Sequence, residues 1–488
     1  VTGVDDSGLV GSATSSVELN TLQAIDIHQA LYVGGDFTTI GGQTRNYIAA
    51  LDLITGSTTS WNPNANGTVF SIVPIGSTIY VGGEFTTIAG QTRNRIAALD
   101  ALTGSTTSWN PNANNSVYTM TVSSDVTSLL VGGAFTNIGS QARNLAAEIG
   151  LTTGTSTAWN PDVTGTAVWT ILNSSGIYLA GNFSDVGGST RNNIAEVDFS
   201  KITNGDPTAW NPNANGQVRA LLLNGSTLYA AGLFTNIGGR ARNRIAALNI
   251  STASSSVWNP DANGDIYSNL TLQGSTIYTG GDFTTIGGQT RNYIAGLDTY
   301  TGSAISWDPS ASSGTRALFI NSTTTYAGGS FTSIGGLSRN RIAALNINTG
   351  SSTSWDPNAN STVRVFALTG ILNYGTLSPG SNTGVFNPST IVLNTGNAAI
   401  DVQLSGTDMT AGSATITVDN QIYSANAFDY SFCDCGILSG TPTTLEVDLS
   451  KPTSTIAVRD DIFWGLNAPS GARSGIYSGT NTFTAVAD

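Results

Sequence analysis

Short runs of residues rich in Val, Ile, Thr, Tyr and Phe, cut at close intervals by Gly, Asn, Ser or Pro, occupy most of the chain. Runs of that make-up read as β-strands, and nowhere do apolar positions hold the period of a helix. In one well-marked stretch the pattern predicts four strands, at residues 68–75, 78–85, 93–100 and 105–109. The same order of elements returns along most of the chain. The reading is therefore an all-β repeat array rather than a string of unrelated domains.

Three landmarks set the repeat. A glycine pair or its remnant precedes Phe37, Phe85, Phe135, Phe183, Phe234, Phe283 and Phe331. An Arg-Asn pair begins at Arg45, Arg93, Arg143, Arg191, Arg242, Arg291 and Arg339. A tryptophan before Asn-Pro or Asp-Pro stands at Trp61, Trp109, Trp159, Trp210, Trp258, Trp307 and Trp355. Successive phenylalanines lie 48 to 51 residues apart, so the array has seven units. Four strands per unit at this period is the mark of propeller blades, of which roughly four to eight close a ring. The expected architecture is a tail at residues 1–15, a seven-bladed β-propeller at 16–369 and a further domain at 370–488.

Each landmark has a physical role in that setting. Large rings such as Phe37 and Trp61 fill the wedge between twisted neighbouring sheets, each burying about 150–250 Å². Glycine pairs allow close backbone approach. The loop at residues 62–67 supplies proline for a turn and amides for the local backbone. Arginine recurs in every unit while the position of Asp36 changes to Glu84, Ala134, Asn182, Leu233, Asp282 and Ser330. An obligatory salt bridge to that site is excluded, and the guanidinium is expected to donate to backbone carbonyls. Two segments, 16–24 and 362–369, match the first strand of a unit and compete to close the ring. The expectation is that the N-terminal copy takes that place and residues 362–369 lead into the next domain.

Beyond residue 370 the landmarks stop. Alternating apolar segments at 389–394, 399–404, 414–418, 444–449, 461–466 and 482–486 predict a β-sandwich, immunoglobulin-like in architecture.

Composition narrows the function. Charged residues are only 10% of the chain, and its hydroxyl- and amide-rich surface fits an exported protein. The net charge is -13 and the only lysines are Lys201 and Lys451, so nucleic acid is excluded as a partner. No apolar run is long enough to span a membrane. The chain starts at Val1 with a small polar stretch, as expected of a secreted chain whose signal peptide has been removed. Cys433 and Cys435 are the only cysteines, with a local or intermolecular disulfide, free thiols and a metal site all open. Asn-x-Ser/Thr sequons begin at Asn66, Asn114, Asn173, Asn182, Asn224, Asn249, Asn269, Asn321 and Asn360.

With its Val-Gly-Gly-x-Phe, Arg-Asn-x-Ile-Ala and Trp-Asn-Pro elements, the array resembles the bacterial delta-repeat propellers, an extracellular family. The resemblance covers residues 16–360. It implies a surface or secreted protein without an assigned reaction, and carries over no catalytic residue. The tail, with Asn394-Thr395-Gly396-Asn397 and Gly475-Ile476-Tyr477-Ser478-Gly479, is similar to Ig-like domains of bacterial surface proteins.

Several residues invite a chemical role. Asn259, Asp261, Asn263 and Asp265 sit at alternate positions, as in a calcium loop, but turn structure is the expected reading. The glycine-rich segment 34–42 opens no helix and does not suit a dinucleotide. His28 is the only histidine and lacks an identifiable nucleophile or orienting acid. Asp5-Asp6 and Asp460-Asp461 are adjacent in sequence, whereas glycoside hydrolysis needs carboxylates facing across a sugar. Solvated loops are expected for both pairs. No catalytic, cofactor or metal residue is assigned. The expected function is a non-enzymatic structural subunit of a surface filament or layer, assembled head-to-tail from copies of itself with residues 1–15 as a docking segment. The alternatives are an adhesin or glycan-binding propeller whose partners are surface glycans, and a polysaccharide-active enzyme on a propeller scaffold.

Overall fold

The run Thr78–Gly83, apolar and then doubly glycine, has side chains small enough to be covered on both faces and forms the middle strand of a sheet. Val69–Ile75 and Ile96–Asp100 flank it, both antiparallel. In this computed structural model six further sheets repeat that order. Their middle strands are Leu31–Gly35, Ser128–Gly133, Ile177–Val186, Thr227–Gly232, Thr276–Gly280 and Thr324–Gly329. The structure describes residues 25–27 and 30–368 other than 124–125, 175, 199–204 and 322. Toward the C-terminus it describes 389–394, 400–406, 408–411, 414–424, 435–449, 458–466 and 481–487. The docking segment 1–15 and the candidates Asp5, Asp6, His28 and Cys433 lie outside the described residues. Among those described, the three-residue 3-10 turn Val418–Asn420 is the only helical element.

The predicted fourth strand of each unit is reduced. In the second unit it amounts to one bridge, Leu99 to Thr106, with Asp100 N donating to Ser105 O and Thr107 N to Ala98 O. It stops there because Thr107 Oγ1 takes the Trp109 amide and turns the chain inward. A two-residue hairpin, Thr87–Ile88 with Gln91–Thr92, fills the link between the second and third strands.

Packing between consecutive sheets builds the array. Tyr80, Ile96, Ala98 and Trp109 of the second unit share a core with Val117, Leu129 and Phe135 of the third. The last and first sheets do the same, with Tyr326, Ile342 and Trp355 against Leu31, Val33 and Phe37. Six tryptophan indoles reach a carbonyl of the next unit: Trp61 Nε1 donates to Asp100 O at 3.0 Å, and Trp355 Nε1 to Asp52 O at 3.1 Å. The second of these bonds spans 303 residues and joins the ends of the array.

Closure differs from the sequence expectation. Val363–Leu368 pairs antiparallel with Leu31–Gly35, Leu31 opposite Leu368 and Gly34 opposite Val365. The segment expected to lead onward is thus the first strand of the first sheet. The physical reason lies in its fit: Val363, Ala367 and Leu368 are buried there. A Cβ on Gly35 would lie 2.2 Å from Thr362 O, so the strand closes directly over that glycine.

Unit Ala30–Thr369 comprises these seven sheets, and Val1–Gln29 with Gly370–Asp488 forms a second unit. That second unit holds a five-stranded antiparallel sheet in the order Ile25–Ile27, Ser389–Asn394, Val458–Leu466, Gln421–Ser424, Gly436–Ile437. A three-stranded sheet orders Thr443–Leu449, Ile400–Gly406, Asn481–Ala487, and Met409–Ala411 pairs with Ala414–Ile416 in a two-stranded one. Strands fall within all six apolar segments singled out in the sequence, in 414–418 only over Ala414–Ile416 before the 3-10 turn. Asp460 and Asp461, expected in a solvated loop, are consecutive strand residues opposite Val392 and Ile391. Cys435 is disulfide-bonded.

Burial has a consequence at high pH. Tyr80 is 7% exposed beside Trp109, and burial pushes its phenol up to about 12. Burial also raises Tyr278 and Tyr326. The folded state therefore holds these protons more tightly than the unfolded chain, whose tyrosines ionise near about pH 10. Stability is expected to be flat below that pH and to fall as pH rises from about 10 to 12, by about 2–3 kcal/mol through Tyr80 alone. Absorbance at 295 nm against pH checks this. Tyrosinate formation for these groups should coincide with loss of the folded state, not precede it.

Candidate functional site

The innermost strand of each sheet carries an irregularity at the same place. Val69 pairs with Gly83 and Ser71 with Gly82, which leaves Phe70 as the extra residue of a β-bulge. The extra residue is Tyr118 in the third sheet, Arg219 in the fifth, Arg316 in the seventh and Arg364 in the first. In the fourth, Trp169 is skipped between Val168 and Thr170. In the sixth, Ile266 makes a lone bridge to Gly281 and Tyr267 follows it. A bulge leaves its extra residue unpaired and re-aims that side chain. A Cβ on Gly83 would meet Thr68 O at 2.1 Å, so this glycine is required.

All seven re-aimed side chains line one cavity of about 600 Å³. They form a nearly continuous belt. Arg364 lies over the Phe70 ring at 5.7 Å, and Phe70 meets Tyr118 edge-on at 5.3 Å. Tyr118 stacks on Trp169 at 3.9 Å, and the Arg219 guanidinium lies 3.8 Å from the centre of the same indole. Two groups that close cannot share one face, so both faces of Trp169 are covered. Tyr267 continues the row, 5.5 Å from Arg219 and 4.6 Å from Arg316. Guanidinium stacked on an aromatic ring is held by the ring quadrupole while its N–H edge stays available.

Charge at the belt is partly compensated. Arg316 pairs with Asp282 at 2.9 Å and Arg364 with Asp36 at 2.7 Å. Arg219 instead donates Nε and Nη2 to Gln217 Oε1, at 3.0 and 2.7 Å. Burial pushes its guanidinium down, opposed by Tyr267, Tyr118 and Asp265. Arg316 Nη1 is buried without a hydrogen-bond partner among the described residues. Hydroxyls and amides line the wall beside the belt: Ser71, Thr119, Thr170 and Asn269.

The recurrent landmark residues serve the backbone. Arg93 donates Nη1 to Thr92 O at 3.0 Å and Nη2 to Thr107 O at 2.7 Å, tying the end of its unit to the hairpin. The other six copies make the equivalent pair of bonds. This is the backbone role expected for them. Asn66 Oδ1 accepts the amides of Thr86 and Thr87 and its Nδ2 donates to Thr86 Oγ1. Asn114 and Asn360 repeat that clamp.

The calcium-like loop does not converge. Asp261 Oδ1 accepts from Asn243 at 2.7 Å, and Asn263 clamps the amides of Thr284 and Thr285. Asp265 pairs with Arg244 at 2.7 Å. The three Oδ1 atoms are thus taken by three different partners. Among the described residues no group of three His, Cys, Asp or Glu side chains could hold a metal ion.

The belt was missed by reasoning from sequence, although a signal exists. In every unit the residue after the inner apolar or threonine position, from Val69-Phe70 to Val363-Arg364, is aromatic or arginine.

A family model described as "Domain of unknown function (DUF5122) beta-propeller" matches residues 31–59 and 78–105. The chain is therefore similar to a β-propeller family over parts of its first and second units. No curated protein matches. Among solved structures, the crystal structure of the computationally designed Ika8 protein is similar at 13% identity, covering 86% of this chain and 96% of that one, with a TM-score of 0.40.

Proposed function

We propose that this chain is an extracellular, non-enzymatic structural protein that assembles head-to-tail with copies of itself into a surface filament or layer. Its repeat array is read as a seven-bladed propeller of the delta-repeat kind, and its second unit as an immunoglobulin-like sandwich. The observation that carries the assembly is an open edge. Asn481–Ala487 pairs with Ile400–Gly406 along all seven of its residues and, among the described residues, with no strand on its other side. A row of unpaired backbone donors and acceptors of that length is a template for strand addition. Residues 1–15 of the next copy are the proposed incoming strand, which makes a heterologous contact that propagates. The structural character rests on the recurrent arginines, tryptophans and asparagines, whose polar atoms hold backbone groups of their own or the next unit.

Negative-stain images of the purified chain are expected to show polymers. Thr482→Lys with Thr484→Lys, which place charge on the edge strand, should leave dispersed particles, as should deletion of residues 1–15. Dispersed particles from the unaltered chain at high concentration would overturn the assembly.

A further inference from the structure

The bulged positions differ in kind from the landmark positions. There the units keep one residue for one structural task, as with the seven Arg-Asn pairs. At the bulge the residue changes between Phe, Tyr, Trp and Arg, yet is large in every unit and lines the same cavity. A plug that only sealed the cavity would be served by apolar residues. Three guanidiniums there add a desolvation cost that packing does not require.

We propose that this cavity is a binding site for an acidic saccharide, whose carboxylates are taken by Arg219, Arg316 and Arg364. Four features select that class. The chain carries 18 lysines and arginines against 31 acids, and three of those cations meet at one opening. Arg316 and Arg364 stand on first strands that pack side by side, with one acid each, Asp282 and Asp36, and Arg316 Nη1 is buried without a partner among the described residues. Arg219 makes its hydrogen bonds to neutral Gln217 rather than to a carboxylate. Lastly, Ser71, Thr119 and Thr170 line the wall; Ser71 Oγ accepts the Met120 amide and Thr170 Oγ1 donates to Arg219 O, which leaves an O–H of Ser71 and a lone pair of Thr170 to match sugar hydroxyls. Because Tyr118 and Arg219 occupy the two faces of Trp169, the rings position the guanidiniums and are not a stacking platform for neutral sugar. A cavity of about 600 Å³ suits a ligand of one or two sugar rings.

Titration calorimetry of the full chain with digalacturonate, cellobiose and inorganic phosphate tests the site. Digalacturonate is expected to bind, more weakly as salt is raised. Arg219→Gln should weaken it at least about tenfold, and Arg219→Lys, which keeps the charge, should restore part of the loss. Among the described residues Arg219 makes no ion pair and bonds only neutral Gln217 through its side chain, so its removal strands no buried acid, and a melting curve confirms that each variant is folded. Equal binding of cellobiose would overturn the acidic class. Phosphate binding as tight as digalacturonate would reduce the site to a general anion trap and overturn the saccharide. Absence of digalacturonate binding at millimolar concentration, or binding indifferent to both substitutions, would overturn the site itself.

Discussion

Val363→Asp is expected to abolish the cooperative melting transition of the repeat array, while deletion of residues 16–24 is expected to leave that transition in place. Val363 is fully buried in the strand that closes the first sheet, between the cores of the last and first units. An unpaired carboxylate at that point costs about 4 kcal/mol or more, among the largest effects a single substitution produces. The loss would not stay local. Leu31–Gly35 would have one edge unpaired, and Trp355, whose indole bonds Asp52 O, would lose the packing that holds the two ends of the array together. Differential scanning calorimetry of both full-length variants makes the comparison. Loss of the transition in the deletion and its survival in Val363→Asp would place the closing strand at the N-terminus instead.

Trp61→Ala is the second large effect. Trp61 is 1% exposed, packs edge-on against Tyr32 at 4.8 Å and donates Nε1 to Asp100 O. Truncation leaves a cavity between the first and second sheets, worth about 3–5 kcal/mol. It also removes one of two hydrogen bonds to Asp100 O, which keeps the Gly104 amide at 2.9 Å, a loss of about 0.5–1.5 kcal/mol. Trp61→Phe separates the two contributions, since it keeps most of the ring and loses only the bond. Chemical denaturation monitored by circular dichroism is expected to rank the midpoints as wild type, then Trp61→Phe, then Trp61→Ala. Equal midpoints for the phenylalanine variant and the wild type would show that the indole bond carries no net stability.

The sequence made the repeat legible because its landmarks are residues with one job each. Phenylalanine, tryptophan and glycine report steric requirements that no other residue meets at those places, and the arginine role followed from the variability of the acids around it. The fourth strand was less legible. Its residues have the composition of a strand, but Thr107 turning back to the Trp109 amide is a side-chain event that pattern does not show. Closure was misread for a related reason: two segments copy the first strand, and only the register against Gly34 and Gly35 separates them. The belt went unseen because its signal is variation. Phe70 and Arg364 look unrelated until the bulge is known, and only then do they occupy one position.

The central claim is that seven sheets surround one cavity and are closed by Val363–Leu368. A density map of the purified chain viewed along that cavity tests it most directly. The account predicts seven sectors, with the strand that carries Val363 completing the sector that begins at Leu31. Six or eight sectors, or an arc with free ends, would contradict it.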